Sequence, residues 1–460
     1  MIDHNEITLD WLLDDVLSQG SHTKRQLVSY TKRIPAFNPL SVLELGKDEN
    51  RFFWKRNDDY LYLVGIGNLI ELAAKQVDYQ AIYEEWIQLV DKAFVHNPYL
   101  VPGTGLVSFG GIAFDDRKET SQLWENFSAS QLRVPKFLFV KYKNDYYLTI
   151  NLIVQDNEHV DLQLQNIQQE EQRLLQDLGE FPQLGTILRR KEIDTAYWKQ
   201  TIEKAKHSIQ NHLAEKIVLA RELRLKLSAP GEMSPVVKKL IETQPNSYVF
   251  AFEQGNECFL GATPERLVRL EQHKLQSMCL AGTAPRGEND VEDKRVRHEL
   301  LNDKKNREEH DFVVQMIRRA IEPYCEDIYI PDNPTVYPLK NLQHLHTPVT
   351  AILKHEYHIF DIIRQLHPTP ALGGTPKEVA LAFIRDDESL DRGWYGAPIG
   401  WIDHQNNGEF AVAIRSGLIQ NDEASLFAGC GIVKDSDVEA EYEETKIKFL
   451  PMLHVLGGQR

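Results

Sequence analysis

Residues 248–279 read Tyr248-Val-Phe-Ala-Phe-Glu-Gln-Gly-Asn-Glu-Cys-Phe-Leu-Gly-Ala-Thr-Pro-Glu-Arg-Leu-Val-Arg-Leu-Glu-Gln-His-Lys-Leu-Gln-Ser-Met-Cys279. Four short apolar runs, 248–253, 258–260, 267–270 and 275–279, follow one another with turn-type residues between them, and each has the composition of a strand. This spacing predicts four strands in succession, a meander. Strands that run together, followed by helices that run together, point to an α+β fold built on antiparallel sheets rather than to a doubly wound one.

Working outward, residues 290–325 read as one long helical stretch. A strand is expected near 336–345, helices near 359–366 and 377–383, strands at 396–403, 409–420 and 425–431, and a terminal helix over 439–456. Upstream, 216–227 alternates Ile217, Leu219, Arg221, Leu223 and Leu225 as a strand does, and 194–213 carries Tyr197, Ile202, Ala205 and Ile209 on one helical side. The front of the chain is mixed. Helical spacing appears at 9–18 and 79–95, strand-like runs at 52–54, 60–64, 105–114, 137–140 and 146–154, and a polar helix or connector at 163–178. A boundary near 185–195 divides an amino-terminal α/β segment, 1–190, from a second segment over 191–460.

The 460 residues carry 52 Lys plus Arg against 68 Asp plus Glu, a net charge of −16. A sequence-independent nucleic-acid binder needs the opposite surplus to displace counterions from phosphates, so that class is excluded. The first twenty residues are acidic without Lys or Arg, the reverse of a targeting peptide, and no apolar run approaches the ~20 residues of a spanning helix. Four scattered cysteines, Cys258, Cys279, Cys325 and Cys430, with no CxxC pair, read as reduced thiols of a cytoplasmic protein.

Several segments can carry chemistry. Lys216 opens an apolar strand, where a charged ammonium is costly to bury, so it is either a base or a strand-end Lys whose stem reaches solvent. Thr263-Pro264-Glu265 is either a turn with Glu265 satisfying backbone donors or the seat of a functional carboxyl. The loop 280–287, with Gly282 and Thr283, is a plain turn or an anion-binding nest of backbone N–H groups. Glu308, Glu309 and His310 open one helical run, while Glu441, Glu444 and Lys448 share a helix face in another. Each set alone reads as a solvated face. Facing each other, their carboxylates make an oxygen-only site suited to Mg²⁺. His344 and His346 lack a third metal ligand nearby, which favours hydrogen bonding over metal binding. The loop 366–374, with Ala371 and Leu372 among two prolines and two glycines, is rigid and irregular. Gly429 and Gly431 lie at a strand end where backbone can approach a ligand closely.

Together and in this order the segments EKIVLAR (215–221), FLGATPERL (259–267), LAGTAPRG (280–287), EEHDFVV (308–314), LQHLHT (342–347), LHPTPALGGTP (366–376), AIRSGL (413–418) and AGCGIVKDSDVEAEYEETKIK (428–448) resemble the chorismate-utilising enzymes, most closely the isochorismate synthases. GLVSFGGIAFD (105–115) extends the likeness into the front segment. The resemblance implies the chorismate-utilising enzyme fold, an antiparallel β-sandwich core with surrounding helices. It assigns the general base to Lys216 and the general acid to Glu265, with His344 near the leaving hydroxyl and His346 without a role. It places Mg²⁺ on Glu309 and Glu444, with Glu441 acting through water. Substrate contacts fall on Arg415, Lys448, the backbone near Gly282, Thr283, Gly429 and Gly431, and the loop residues Ala371 and Leu372.

The implied reaction is addition of water at C2 of chorismate with loss of the 4-hydroxyl, giving isochorismate for menaquinone or siderophore biosynthesis. Water is a poor nucleophile and hydroxide a poor leaving group, so a base and an acid are both needed. Anthranilate synthases, which use ammonia, typically carry Gln where Lys216 stands, and aminodeoxychorismate synthases carry Lys where Ala281 stands. Salicylate synthases, which go on to expel pyruvate, are the alternative. The expected partner is chorismate itself, with no nucleic acid or membrane, in a monomer or weak homodimer.

Overall fold

A computed structural model describes residues 7–19, 25–154, 160–339 and 342–458. Two large sheets pack face to face. One has 13 strands and the other 10, and the pairs among the described residues are antiparallel but for one. The single parallel pair among the described residues joins Gln26–Arg33 to Phe94–His96 at an edge. Helices cover the outer faces. The α+β fold on antiparallel sheets anticipated from the strand runs, and the sandwich implied by the family resemblance, are the observed architecture. Its interior is aromatic, with Phe52, Trp54, Phe109, Phe250, Phe252, Phe259, Trp394 and Trp401 buried between the sheets. Rings of this size dominate core burial and pack edge-to-face or offset, as Trp124 does on Phe259 at 5.2 Å between centroids.

The four strands of 248–279 all form, at Tyr248–Gln254, Glu257–Thr263, Arg266–Glu271 and Lys274–Pro285. They are not one meander. The first two pair in the larger sheet and the last two in the smaller, so Pro264-Glu265 is a crossing between sheets. Proline, with no N–H to give to a ladder, suits such a break. The run 409–420 divides in the same way, into Gly408–Val412 in the smaller sheet and Ser416–Gln420 in the larger. Arg415, at the crossing, has φ +52°. The expected helix over 290–325 is two helices, Asp290–Asn302 and Lys304–Ile321, because the Asp303 side chain accepts from the Asn306 N–H and caps the second. The strand near 336–345 is likewise two, Thr335–Pro338 and Leu342–Leu353, with 340–341 outside the described residues.

Front and rear of the chain share both sheets. Arg51–Lys55 pairs with Tyr248–Gln254, and Val107–Ile112, from the glycine-rich front motif, pairs with Pro398–Asp403. The four cysteines are free and buried. No helix among the described residues is long and apolar enough to cross a membrane.

Candidate active site

Strand Lys216–Leu227 is paired along one side with Glu423–Ile432, in a register that sets Val218 opposite Gly431 and Ala220 opposite Gly429. On its other side, the first two residues pair with Gly374–Thr375 at the end of the proline- and glycine-rich loop. Lys216 therefore stands at a fixed place between two glycine-bearing segments. The Lys216 side chain runs across Gly431, where an added Cβ would lie 2.5 Å from Cε. Gly374 has φ +126°, and a Cβ there would overlap the Lys216 carbonyl. Position 374 therefore requires glycine, while at 431 a larger residue would displace the Lys216 side chain. The Lys216 ammonium makes an ion pair of 2.8 Å with Glu309 on helix Lys304–Ile321.

Glu265 sits on the crossing between sheets, held by a bond from the Val412 N–H to its carbonyl at 3.0 Å and from its own N–H to Thr263 Oγ1 at 3.2 Å. A window to solvent remains, yet protein surrounds the carboxyl on nearly every side. That desolvation raises it to about 7, against the opposing pull of the Arg415 guanidinium. Half of such carboxyls are protonated at neutral pH.

Arg415 projects from the second crossing. Its backbone carbonyl accepts from the Ala262 N–H at 3.1 Å, while its guanidinium makes no hydrogen bond or ion pair to a described residue. Burial lowers it from its ordinary value, and the fields of Tyr395, Glu444 and Glu265 oppose that loss. A half-buried guanidinium with uncommitted donors is a natural receptor for a carboxylate. A non-glycine residue in the left-handed region costs about 1 kcal/mol or more, a strain characteristic of functional positions.

His344 and His346 share one face of Leu342–Leu353 but have different partners. His344 Nδ1 meets Thr283 Oγ1 at 2.9 Å, and His346 Nδ1 meets Thr335 Oγ1 at 3.3 Å. Burial, with Arg415 and Lys448 adding to it, lowers His344 to about 3. Burial, with Arg266 and His310, lowers His346 to about 4. Both are neutral hydrogen-bonding imidazoles. The segment 280–287, expected as a loop, continues the strand Lys274–Pro285 paired with Leu342–Leu353, with Gly282 at a bulge in it, and the Thr283 N–H is committed to Asn306 Oδ1 at 3.2 Å. In the loop at 366–374, the Leu372 N–H bonds to the Thr369 carbonyl at 2.9 Å. Ala371 is half-buried beside it.

Helix Val438–Val455, capped by Asp437, presents Glu441, Glu444 and Lys448. Lys448 Nζ bonds to Glu444 at 2.6 Å and to the Gly429 carbonyl at 2.7 Å. Glu441 accepts from Ser436 Oγ at 2.8 Å, and burial raises its carboxyl, with Glu444 adding to the rise. Glu309, Glu441 and Glu444 are thus each held by a neighbour. Among the described residues no three His, Cys, Asp or Glu side chains converge as a finished metal cage. The donor chemistry nevertheless fits Mg²⁺, which takes one or two carboxylates and fills the rest of its shell with water and anionic substrate. His310 offers no nitrogen. Its Nδ1 bonds to the Ala281 carbonyl at 3.0 Å and its Nε2 to Thr347 Oγ1 at 2.7 Å, tying Glu309's helix to the 280–287 segment and to His344's strand.

Tyr395 went unnoticed in the sequence. Its hydroxyl lies 3.4 Å from where a Cβ on Gly429 would stand, in the field of Arg415, and burial raises it. A tyrosine between two glycines ahead of a strand, in Gly393-Trp-Tyr-Gly396, was the available signal.

The sequence pattern of the family described as chorismate binding enzyme matches residues 14–457. The chain is 42% identical over 444 residues, 94% of each chain, to a Bacillus subtilis protein named isochorismate synthase MenF. It is 33% identical over 447 residues, 94% of this chain and 91% of the other, to a Pseudomonas aeruginosa protein named salicylate biosynthesis isochorismate synthase. Among solved structures, that of MenF, described as the menaquinone-specific isochorismate synthase from Escherichia coli, superposes with a TM-score of 0.81. It covers 97% of this chain and 98% of its own at 26% identity.

Proposed function

Because the chain belongs to the chorismate-binding enzymes, we propose that it is an isochorismate synthase, converting chorismate to isochorismate for menaquinone biosynthesis. The observation that carries this reading is a carboxyl suited to act as an acid, Glu265, raised to about 7 by burial, in a chain whose Lys216 side chain, the expected base, is laid over Gly431. Lys216 acts as the neutral amine, having first given up its ammonium proton, and takes a proton from the water that attacks C2. Glu265 hands its proton to the 4-hydroxyl, which leaves as water while the ring double bonds shift. One water enters and one leaves, so the reaction is an isomerisation, and a proton must return from Lys216 to Glu265 before the next cycle. General acid and general base catalysis are each worth on the order of 10²–10⁴ in rate.

Arg415 and the Tyr395 hydroxyl would receive a substrate carboxylate. His344, neutral and bonded to Thr283, can orient the leaving hydroxyl without competing for its proton. Glu309 and Glu444, with Glu441 acting through water, would hold Mg²⁺, which supplies charge neutralisation and orientation at a carboxylate of the substrate. Supporting the same reading are the name of the 42% identical relative and Lys rather than Gln at 216.

The test is incubation of the protein with chorismate and Mg²⁺, with products separated by chromatography. Isochorismate as the main product is expected. Salicylate and pyruvate as the main products would replace this reading with a salicylate synthase, and absence of turnover would overturn it.

A further inference from the structure

Strand Lys216–Leu227 has a gap along one edge. Gly374–Thr375 covers residues 216 and 217, and Ile187–Glu192 covers only 223–227. In the gap, the Val218 N–H bonds to the Gly373 carbonyl at 3.0 Å, and the Glu222 carbonyl accepts from the Ile193 N–H at 3.2 Å. Two further backbone groups are met by side chains. The Ala220 N–H donates to Glu388 Oε2 at 2.6 Å, and the Val218 carbonyl accepts from Arg392 Nη2 at 2.7 Å.

Glu388, just past helix Lys377–Asp387, and Arg392, four residues on, form a two-pronged ion pair. Nε donates to Oε1 at 2.6 Å and Nη2 to Oε2 at 2.8 Å. The side chains are only 4% and 1% exposed for Arg392 and Glu388 respectively. The remaining arm, Nη1, donates to the Leu372 carbonyl at 3.0 Å, and the guanidinium lies 4.3 Å from the Phe114 ring centre. The Arg392 carbonyl also accepts from the Tyr395 N–H at 2.7 Å, closing the turn that carries Tyr395. One pair therefore touches the strand that begins with Lys216, the loop whose end pairs with Lys216, and the turn that brings Tyr395 to Gly429.

We propose that the buried Glu388–Arg392 pair is a positioning unit for catalysis, standing in for the absent strand so that Lys216 and Tyr395 keep a fixed relation to the substrate. Its geometry fits this role better than a stabilising one. A buried pair contributes little net stability over well-packed apolar side chains of the same size, whereas a guanidinium fork with fixed donors sets distances that hydrophobic packing does not. The catalytic consequence rests on the isochorismate synthase reading. The mechanical one does not.

The experiment compares the intact protein with the double variant Glu388→Leu/Arg392→Met, which removes the pair without stranding a lone charge. Amide hydrogen exchange over 216–222 and steady-state kinetics with chorismate are measured on each. Faster exchange confined to that peptide and a kcat lower by about 10²-fold, with KM within about threefold, are expected. Arg392→Lys, which keeps the charge beside Glu388 but not the reach to both carbonyls, gives a second reading if the double variant fails to fold. It is expected to lose about tenfold in kcat at unchanged thermal stability. Wild-type exchange and wild-type kcat in a folded variant would overturn the proposal. If neither protein turns over chorismate, the proposed function fails, and exchange over 216–222 alone decides the mechanical role.

Discussion

Replacement of Glu265 by Gln isolates the acid that the proposed chemistry requires. An ordinary carboxyl of 4.5 would be roughly 0.3% protonated at pH 7, whereas one raised to about 7 is half protonated, and the difference is worth about 3 kcal/mol. No described residue hydrogen-bonds to the Glu265 carboxyl, so Gln removes the proton without stranding a partner. Rate should fall by about 10²–10⁴-fold. In the wild type, kcat should decline as pH rises through about 7, because the reaction uses the protonated form. Arg415 pulls this carboxyl down, so Arg415→Gln should move the decline in kcat to higher pH.

Stability should change in the opposite sense to activity. Below about 4.5 the carboxyl is protonated in folded and unfolded chains alike and Gln brings no gain. Between 4.5 and 7 only the unfolded chain ionises, and the folded state loses stability progressively. Above 7 the full penalty is present, so Glu265→Gln should be more stable than wild type by up to about 3 kcal/mol at pH 8 and by less than about 0.5 kcal/mol at pH 4.5. Chromatographic initial rates from pH 5.5 to 9.5 and urea unfolding at the two pH values make the measurement. Turnover by the variant within tenfold of wild type, or a wild-type kcat still rising at pH 9, would refute the assignment.

Mg²⁺ removal should abolish turnover and weaken chorismate binding nearly to nothing by calorimetry, because a dianion approaches a chain of net charge −16 and needs local reversal of the field; tight binding retained in a chelator would refute this. Gly431→Ala puts a methyl 2.5 Å from Lys216 Cε. A flexible side chain can yield, so thermal stability should hardly change while kcat falls about 10²-fold, a split read by calorimetry and kinetics together. Gly374→Ala meets backbone instead, the Lys216 carbonyl, at φ +126°. It should cost about 3 kcal/mol or more of unfolding free energy in urea titration.

Legibility in the sequence varied with the range of the forces involved. Strand Lys216–Leu227 and helix Ile359–Leu366 were readable to the residue because alternation and helical spacing are local. Partition of 248–279 and 409–420 between two sheets was not, because one apolar run suits either sheet and the choice depends on which strands elsewhere leave an open edge. The break at Asp303 was missed because helical spacing continues through it, and only the cap marks two helices.

The sequence by itself determined the α+β class, the order of the motifs and, through them, which residue types are available for acid, base and carboxylate work. Tertiary structure alone decided that Glu265 sits in a desolvated crossing, that Lys216 faces Glu309, and that Arg415 stands uncommitted beside both Tyr395 and Glu444. It also decided that Glu388 and Arg392 fill the missing edge beside the base. Charge state and donor commitment depend on the volume around a group, and that volume is supplied by segments far apart in the chain.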